Sequence, residues 1–358
     1  MLHSNKINTL DFSGQSIYAG MDVHNESWKI CIFSDEFELK PMTTPPDPGI
    51  LIRHLRKNYP GANYKCAYEA GYSGFWIQQE FKKQGIECIV VNPADVPSTN
   101  KEQVYKSDPV DCRKIARSLR NGELEAIYVP DRQALEDRNL VRMRHGIVKK
   151  QTRVKNQIKA FLSFYGIKKK DEDCKKSWTK KHIKYLESIS IGQVSGNASY
   201  GVLLKELRYY MDTLKILTKQ ITELSANEKY REDVINLSTS PGINIISSMK
   251  ILTELNDIRR FRSLDKLASY VGLIPSKYST GDREIQRGIT HRGNPFLKET
   301  LIECAWTAVK RDPALLMCFK KYCRTMDSNK AIIKIARKLL NRIRYILLNK
   351  EPYVNGIV

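Results

Sequence analysis

The stretch IYAGMDVHNESWKICIFSD, residues 17–35, decides the fold of the N-terminal part of this chain. Its two halves, 17–24 and 28–35, are largely apolar runs of strand length, and the short segment between them contains Asn25 and Glu26. This pattern predicts two strands joined by a tight turn. Beyond it we predict a third strand over 36–43, strands over 64–70 and 86–93, and helices over 50–57, over 73–84 and from 108. Strands followed by alternating helices and strands indicate an α/β layer fold.

Two acidic residues occupy unusual positions in these strands. Asp22 lies within the first predicted strand, and Glu69 ends the strand predicted over 64–70. A carboxylate inside an apolar strand is unfavourable unless it is paired or binds a metal. Taken alone, each is more typical of a strand-end acid that faces solvent or of a buried salt bridge.

The string KSDPVD, residues 106–111, predicts the start of a helix. Pro109 suits the first helical position, which makes Asp108 the N-cap and Asp111 the third helical residue. Two interpretations of this acid pair stay open: helix capping, or two hard oxygen ligands. Acids on neighbouring strands and a nearby helix can converge, and four converging carboxylates would repel one another without a metal. The predicted site for Mg²⁺ or Mn²⁺ consists of Asp22, Glu69, Asp108 and Asp111.

The middle of the chain has a different, helical pattern. Apolar residues at 203, 207, 210, 214, 217, 221 and 224 alternate by fours and threes, which is a heptad seam. A weaker heptad pattern runs from Leu140 to Phe161. The two segments could pair with each other as a hairpin, or each could pair with another subunit.

The charge of the chain indicates a polyanionic partner. The formal net charge is +21, and residues 142–184 contain 15 Lys or Arg against three acids. A solvated helix face usually carries mixed signs, so this excess favours contact with nucleic acid. The predicted phosphate contacts in this segment are Lys149, Lys150, Arg153 and Lys155.

Other features of composition narrow the class of protein. We find no apolar run long enough to span a bilayer, so no membrane partner is expected. The first 15 residues, expected to form a flexible arm, lack the apolar core of a signal peptide. The eight cysteines are scattered without metal-site spacing, which is typical of buried, reduced thiols in a cytoplasmic protein.

The string SKYSTGDREIQRGITHRGN, residues 276–294, combines hydroxyls with cations. Ser279 and Thr280 precede Gly281, which permits a tight turn. Arg283, Arg287 and Arg292 follow and could line a phosphate pocket. This combination predicts a hydroxyl nucleophile beside a phosphate whose developing charge the cations stabilise. A solvated basic loop is the alternative.

The motifs resemble those of DEDD-type transposases of insertion-sequence family one-hundred-and-ten, a family of RNA-guided bridge recombinases with the Piv DNA invertase among its relatives. The strings that carry the resemblance span nearly the whole chain: GMDVH, YEAGYSG, VVNP, KSDPVD and SPGI…FRSLDKLASYVGLIPSKYSTG…RGITHRGNPFLKETLIECA. The resemblance implies an α/β RuvC-like (RNase H-like) N-terminal domain over 16–130. It further implies a basic, helical coiled-coil region over 131–228 and a mostly helical C-terminal transposase domain, with the nucleophile turn, over 229–358.

The resemblance also implies a chemistry and partners. In that family the four DEDD acids bind divalent metal, and a C-terminal serine attacks DNA to form a covalent phosphoserine link. A structured guide RNA pairs with target and donor DNA, and the coiled coil joins subunits into homo-oligomers, here expected to be dimers or tetramers. The family pattern is Tyr-x-Ser-Gly, whereas this chain has Tyr278, Ser279, Thr280 and Gly281. Spacing to Gly281 favours Thr280 as the nucleophile, and ease of attack favours Ser279.

Two other functions stay open on the sequence alone. A RuvC-like junction nuclease would hydrolyse DNA with a metal-activated water and would need no hydroxyl nucleophile. A non-catalytic nucleic-acid-binding scaffold would assemble through its coiled coil. The expected setting of the leading function is the cytoplasm of a bacterial or archaeal cell, at the nucleoid during action.

Overall fold

The computed structural model describes residues 11–97, 108–167, 178–280, 283–290 and 292–355 of the chain. Over 108–109, 276–280 and 283–287 this description concerns the backbone. The chain forms two compact units, Met1–Val129 and Pro130–Val358.

The first unit contains a five-stranded mixed sheet in the order β3-β2-β1-β4-β5. Strands β2 and β3 continue from β1 in antiparallel pairing, whereas β4 and β5 run parallel to β1. The bounds are Ser16–Val23 (β1), Trp28–Phe33 (β2), Met42–Thr44 (β3), Asn63–Glu69 (β4) and Glu87–Val91 (β5). This confirms the α/β prediction. Strand β3 is shorter than predicted because Pro41, which lacks a backbone N–H for the ladder, precedes it.

Helices cover both faces of this sheet: Pro48–Asn58 (α1), Trp76–Lys83 (α2) and Asp108–Arg120 (α3), with a 3₁₀ turn at Pro93–Asp95. Helices α1 and α2 bury Leu51, Leu55 and Phe81 in the main core of the sheet. Helix α3 buries Cys112 and Ala116 in a separate small core.

Close contact between α3 and β1 depends on Gly20. A Cβ atom at Gly20 would lie 2.3 Å from the backbone nitrogen of Ala116 and 2.3 Å from the backbone oxygen of Cys112. Only glycine therefore lets the helix approach the strand this closely. The contact brings the N-terminal half of α3, with Asp111, to the part of β1 that carries Asp22.

The described part of the second unit is helical apart from one hairpin. Its described helices are Arg132–Phe164 (α4), Lys180–Ser188 (α5), Val194–Ser225 (α6), Glu228–Ser238 (α7), Ile245–Leu255 (α8), Leu264–Val271 (α9), Pro295–Arg311 (α10), Pro313–Cys323 (α11) and Ser328–Asn349 (α12), with a 3₁₀ turn at Ile258–Arg260. Strands Pro275–Thr280 (β6) and Arg283–Ile289 (β7) form an antiparallel pair. No helix in the described ranges is long and apolar enough to cross a membrane.

Helices α4 and α6 pack against each other as an antiparallel pair. Val154 and Leu207 share one core, and Val141 and Ile221 share another toward the opposite end. All seven residues of the predicted heptad seam are buried or half-buried. Of the two pairings that the sequence allowed, the chain thus adopts the hairpin, and a coiled coil between subunits stays a prediction.

Candidate active site and nucleic-acid interface

The two strand acids lie at one edge of the sheet. Asp22 is the next-to-last residue of β1, and Glu69 ends the parallel neighbour β4, where Met21 stands opposite Tyr68. The carboxyl ends of adjacent parallel strands meet at the same sheet edge, which is where α/β folds bind ligands. The Asp22 and Glu69 side chains are 21% and 32% exposed, so solvent reaches both.

Lys114 links Glu69 to the helix acid Asp111. Its Nζ lies 3.9 Å from Glu69 Oε1 and 3.4 Å from Asp111 Oδ1, and its side chain is only 11% exposed. One ammonium group therefore neutralises part of the repulsion between two predicted metal ligands. Sequence reasoning missed this lysine, although its position three residues after Asp111 on one helix face was a usable signal.

Asp22 contacts His24, a residue to which no role was assigned from the sequence. His24 Nε2 lies 3.2 Å from Asp22 Oδ2, and Tyr72 Oη lies 3.3 Å from His24 Nδ1. The Tyr72 hydroxyl also donates to the backbone oxygen of Val23. Alternate residues of an extended chain point to one side, so the Asp-x-His spacing at 22–24 was the available signal.

The acids suit a hard cation by their chemistry. Carboxylate oxygens are the ligands that Mg²⁺ and Mn²⁺ prefer, and here they come from two strand ends and one helix. Within the described side chains, no group of three His, Cys, Asp or Glu could by itself hold a metal ion. Asp108 begins α3, where the description is of the backbone. The four-acid metal site stays a prediction.

The two hydroxyl residues belong to the β6–β7 hairpin. Ser279 stands opposite Glu284, and Thr280 stands opposite Arg283. The predicted turn includes both hydroxyls, but the backbone is strand through Thr280, which agrees with the strand preference of Tyr and Thr. Residues 281–282, where the predicted turn falls, lie outside the described residues. Arg287 follows in β7.

Two glycines allow the two ends of the hairpin segment to approach each other closely. Gly272 and Gly293 have φ angles of +84° and +117°, which other residues rarely adopt. A Cβ atom at Gly272 would lie 2.7 Å from the backbone oxygen of Arg292, and one at Gly293 would lie 2.6 Å from the backbone nitrogen of Gly272. Arg292 itself is exposed beside this contact.

The basic residues of α4 divide into two kinds. Lys149, Lys150 and Arg153 are exposed, so a phosphate backbone could reach them, although Lys149 Nζ also lies 3.3 Å from Glu299 Oε2 of α10. Lys155 is half-buried: its Nζ donates to Gln151 Oε1 at 3.0 Å and lies 5.3 Å from the centre of the Trp178 ring. Burial and the nearby Lys159 lower the pKa of Lys155. Lys155 therefore contributes to packing within the second unit and is less exposed to a phosphate than Lys149, Lys150 and Arg153.

The acids and the hydroxyls reside in different units. Asp22, Glu69 and Asp111 belong to the first unit, whereas the hairpin and the basic helix α4 belong to the second. A model for DEDD transposases of the IS110 type matches residues 19–167, which include the acids and the exposed cations of α4. A model described as the transposase IS116/IS110/IS902 family matches residues 235–319, which include the hairpin.

Individual relatives agree with these matches. The Sinorhizobium fredii protein y4qE, named as a transposase, is 32% identical over 297 residues, which are 82% of this chain and 71% of that protein. The transposase of insertion sequence element IS1533 from Leptospira borgpetersenii is 24% identical over 299 residues, 82% of this chain and 85% of its own length. The pilin gene-inverting protein of Moraxella lacunata is 28% identical over 157 residues, 41% of this chain and 47% of that protein. The resemblance drawn from the motifs is confirmed, and the chain belongs to the IS116/IS110/IS902 family of transposases.

Proposed function

We propose that this transposase cuts and rejoins DNA through a covalent intermediate in which the hydroxyl of Ser279 or Thr280 is joined to a DNA phosphate. The observation that carries the proposal is the hairpin, where both hydroxyl residues end β6 and Arg283 stands opposite Thr280. Arg287 and Arg292 belong to the same segment. Cations beside a phosphate stabilise the charge that builds on its oxygens during attack.

The exchange conserves bonds at each step. Attack by the hydroxyl oxygen forms a new bond to phosphorus, while the bond from phosphorus to the leaving deoxyribose oxygen breaks. The hydroxyl proton passes to a base, and the leaving oxygen gains a proton. A hydroxyl of another DNA end then attacks the same phosphorus and releases the protein hydroxyl. The number of phosphoester bonds is unchanged, so no external energy source is required.

The acids of the sheet edge would hold the divalent ions. Asp22, Glu69, Asp108 and Asp111 supply oxygen ligands, and bound Mg²⁺ or Mn²⁺ would stabilise the attacking and leaving oxygens. Lys114 forms ion pairs with two of these acids, Glu69 and Asp111. A mixed sheet with acids at its carboxyl edge supports the RuvC-like assignment.

Nucleic-acid partners are proposed for the exposed face of α4. Lys149, Lys150 and Arg153 suit the phosphates of a structured guide RNA or of the target and donor DNA. Sequencing the nucleic acid that copurifies with the protein tests the RNA. We expect one discrete non-coding RNA, and a random mixture of cellular RNA would argue against a guide.

Trapping the covalent intermediate tests the central step. The protein, coexpressed with its element, is denatured and assayed for DNA that stays attached. We expect the wild type to form the adduct. One of the two alanine variants, Thr280→Ala or Ser279→Ala, should lose the adduct completely, and the other should only form it more slowly. Ser276→Ala removes a third hydroxyl from the same strand and serves as the matched control. Adduct formation by both alanine variants would refute the proposal.

A further inference from the structure

Glu254 is a fully buried carboxylate in the second unit. It lies in the last turn of α8, its side chain is 0% exposed, and its neighbours Leu252, Thr253 and Leu255 are buried as well. Removing a carboxylate from water is costly unless both of its oxygens find donors. The residues that donate hydrogen bonds to this carboxylate therefore indicate its role.

Both oxygens of Glu254 are satisfied by residues from other elements. Arg142 of α4 donates from Nε to Oε1 at 2.5 Å and from Nη2 to Oε2 at 2.8 Å. Asn294 donates from Nδ2 to Oε2 at 2.7 Å. The hydrogen bond and the charge of Glu254 raise the pKa of Arg142, although burial opposes them. The planar, two-pronged pair fixes the orientation of both side chains.

Asn294 connects this pair to one end of the hairpin segment. Its Oδ1 accepts from the backbone N–H of Leu297 and caps α10, and its own N–H donates to the backbone oxygen of Tyr270 at 2.8 Å. The Tyr270 hydroxyl in turn donates to the backbone oxygen of Glu254 at 3.1 Å. Residues 270 and 294, which flank the hairpin segment on its two sides, are thus both bonded to residue 254.

We propose that Glu254 is a positioning residue that fixes the base of the nucleophile hairpin against the basic helix α4. The inference rests on the proposed function of the hairpin. A buried ion pair contributes little net stability compared with apolar residues of equal volume, so its specific contribution here is geometry. A displacement of about 1 Å at a reacting group can cost roughly 100-fold in rate, which is the scale of effect expected from loosening the hairpin base.

The test uses Glu254→Gln in the full-length protein, with hydrogen exchange and adduct formation as separate measurements. Glutamine keeps the shape but replaces one acceptor oxygen with a donor, so the two-pronged pair is lost. We expect faster amide exchange over residues 272–294, and roughly 100-fold slower single-turnover adduct formation. The Kd for DNA should be unchanged. Glu303→Gln, an exposed acid of α10, is the matched control and should change none of these.

A second variant separates positioning from folding. Arg142→Lys keeps the positive charge but cannot form the planar fork, so it should reproduce the exchange and rate effects even if Glu254→Gln fails to fold. Unchanged exchange over 272–294 in Arg142→Lys would overturn the inference. If exchange rises but the wild type forms no adduct, the positioning role of Glu254 stands and the proposed function of the hairpin fails.

Discussion

At the scale of single residues, the ion pairs of Lys114 set the charge balance around Glu69 and Asp111. Lys114 lies between Glu69 and Asp111, so its positive charge offsets part of the repulsion between these acids. The same position, between two carboxylates, is where a divalent ion would also be attracted. Stability and metal binding should therefore be linked at this residue.

Lys114→Met should destabilise the metal-free protein by about 1–3 kcal/mol, because Asp111 loses a hydrogen-bond donor and Glu69 loses its nearby positive charge. Added Mg²⁺ should reduce the difference in the free energy of unfolding between this variant and the wild type. The measurement is chemical denaturation with and without Mg²⁺. Lys83→Met removes a 70% exposed lysine near Glu80, so it should cost less than about 1 kcal/mol. A difference that Mg²⁺ leaves unchanged or widens would contradict the shared-site interpretation.

Asp111→Asn should abolish strand exchange while the circular dichroism spectrum stays that of the wild type. Asparagine preserves the size of the side chain at the start of α3 but removes the negative charge that a divalent ion requires. Glu38→Gln is the control. Glu38 forms an ion pair at 2.7 Å with Arg113, which lies on the same helix as Asp111, but it is not a predicted metal ligand. Strand exchange at the wild-type rate by Asp111→Asn would exclude this acid from the metal site.

A charge that stands in a largely apolar run was the residue-scale signal available from the sequence, and the metal-binding role inferred from it stays a prediction. That argument selected Asp22, and the string IISSMKILTEL around Glu254 carries the same signal, which the sequence analysis did not use. What sequence could not supply was the partner: Arg142 is 112 residues from Glu254 in the chain. Only the tertiary fold brings these groups together.

At the scale of elements, most strands and helices follow from local pattern. The strands at 64–70 and 86–93 and the helix at 50–57 form within a few residues of the predicted bounds. The apolar seam of α6 was also predictable, but an apolar seam does not specify which surface covers it. Hence the choice between a hairpin with α4 and a contact with another subunit required the structure.

Gly20→Ala should destabilise the first unit because a methyl group would collide with the backbone of α3. Inserting a methyl group into a closely packed contact costs about 1–3 kcal/mol. Gly146→Ala is the control with the opposite sign, since this glycine lies within α4 with open space around it and alanine favours a helix by about 1 kcal/mol. Urea denaturation of both variants provides the comparison. A stabilising effect of Gly20→Ala would show that α3 does not approach β1 as described.

Neutralising Lys149, Lys150 and Arg153 with glutamine should weaken nucleic-acid binding for all sequences. Loss of three phosphate contacts should reduce the slope of log K against log salt by roughly two to three. Lys205, Lys215 and Lys219, which lie on α6, provide the matched triple-glutamine control. The binding constant is measured by titration at several salt concentrations. A salt slope equal to that of the wild type would remove α4 from the interface.

At the scale of the whole molecule, the chain places its acids in one compact unit and its hydroxyls and basic helix in another. One family model matches residues 19–167, which include the acids and α4, and the other matches residues 235–319, which include the hairpin. Motif order along the sequence could predict this division of roles. It could not predict how the basic helix α4 is joined to the hairpin, because that connection runs through the buried Glu254.

The identity of the residue that carries the DNA phosphate tests the central claim most directly. The trapped adduct is digested with nuclease and trypsin, and mass spectrometry locates the remaining nucleotide. We predict its attachment to Ser279 or Thr280 within the tryptic peptide of residues 278–283, and its absence from the Asp111→Asn variant. Attachment to Tyr278 or to any other peptide, or an adduct that persists in the Asp111→Asn variant, would contradict the account.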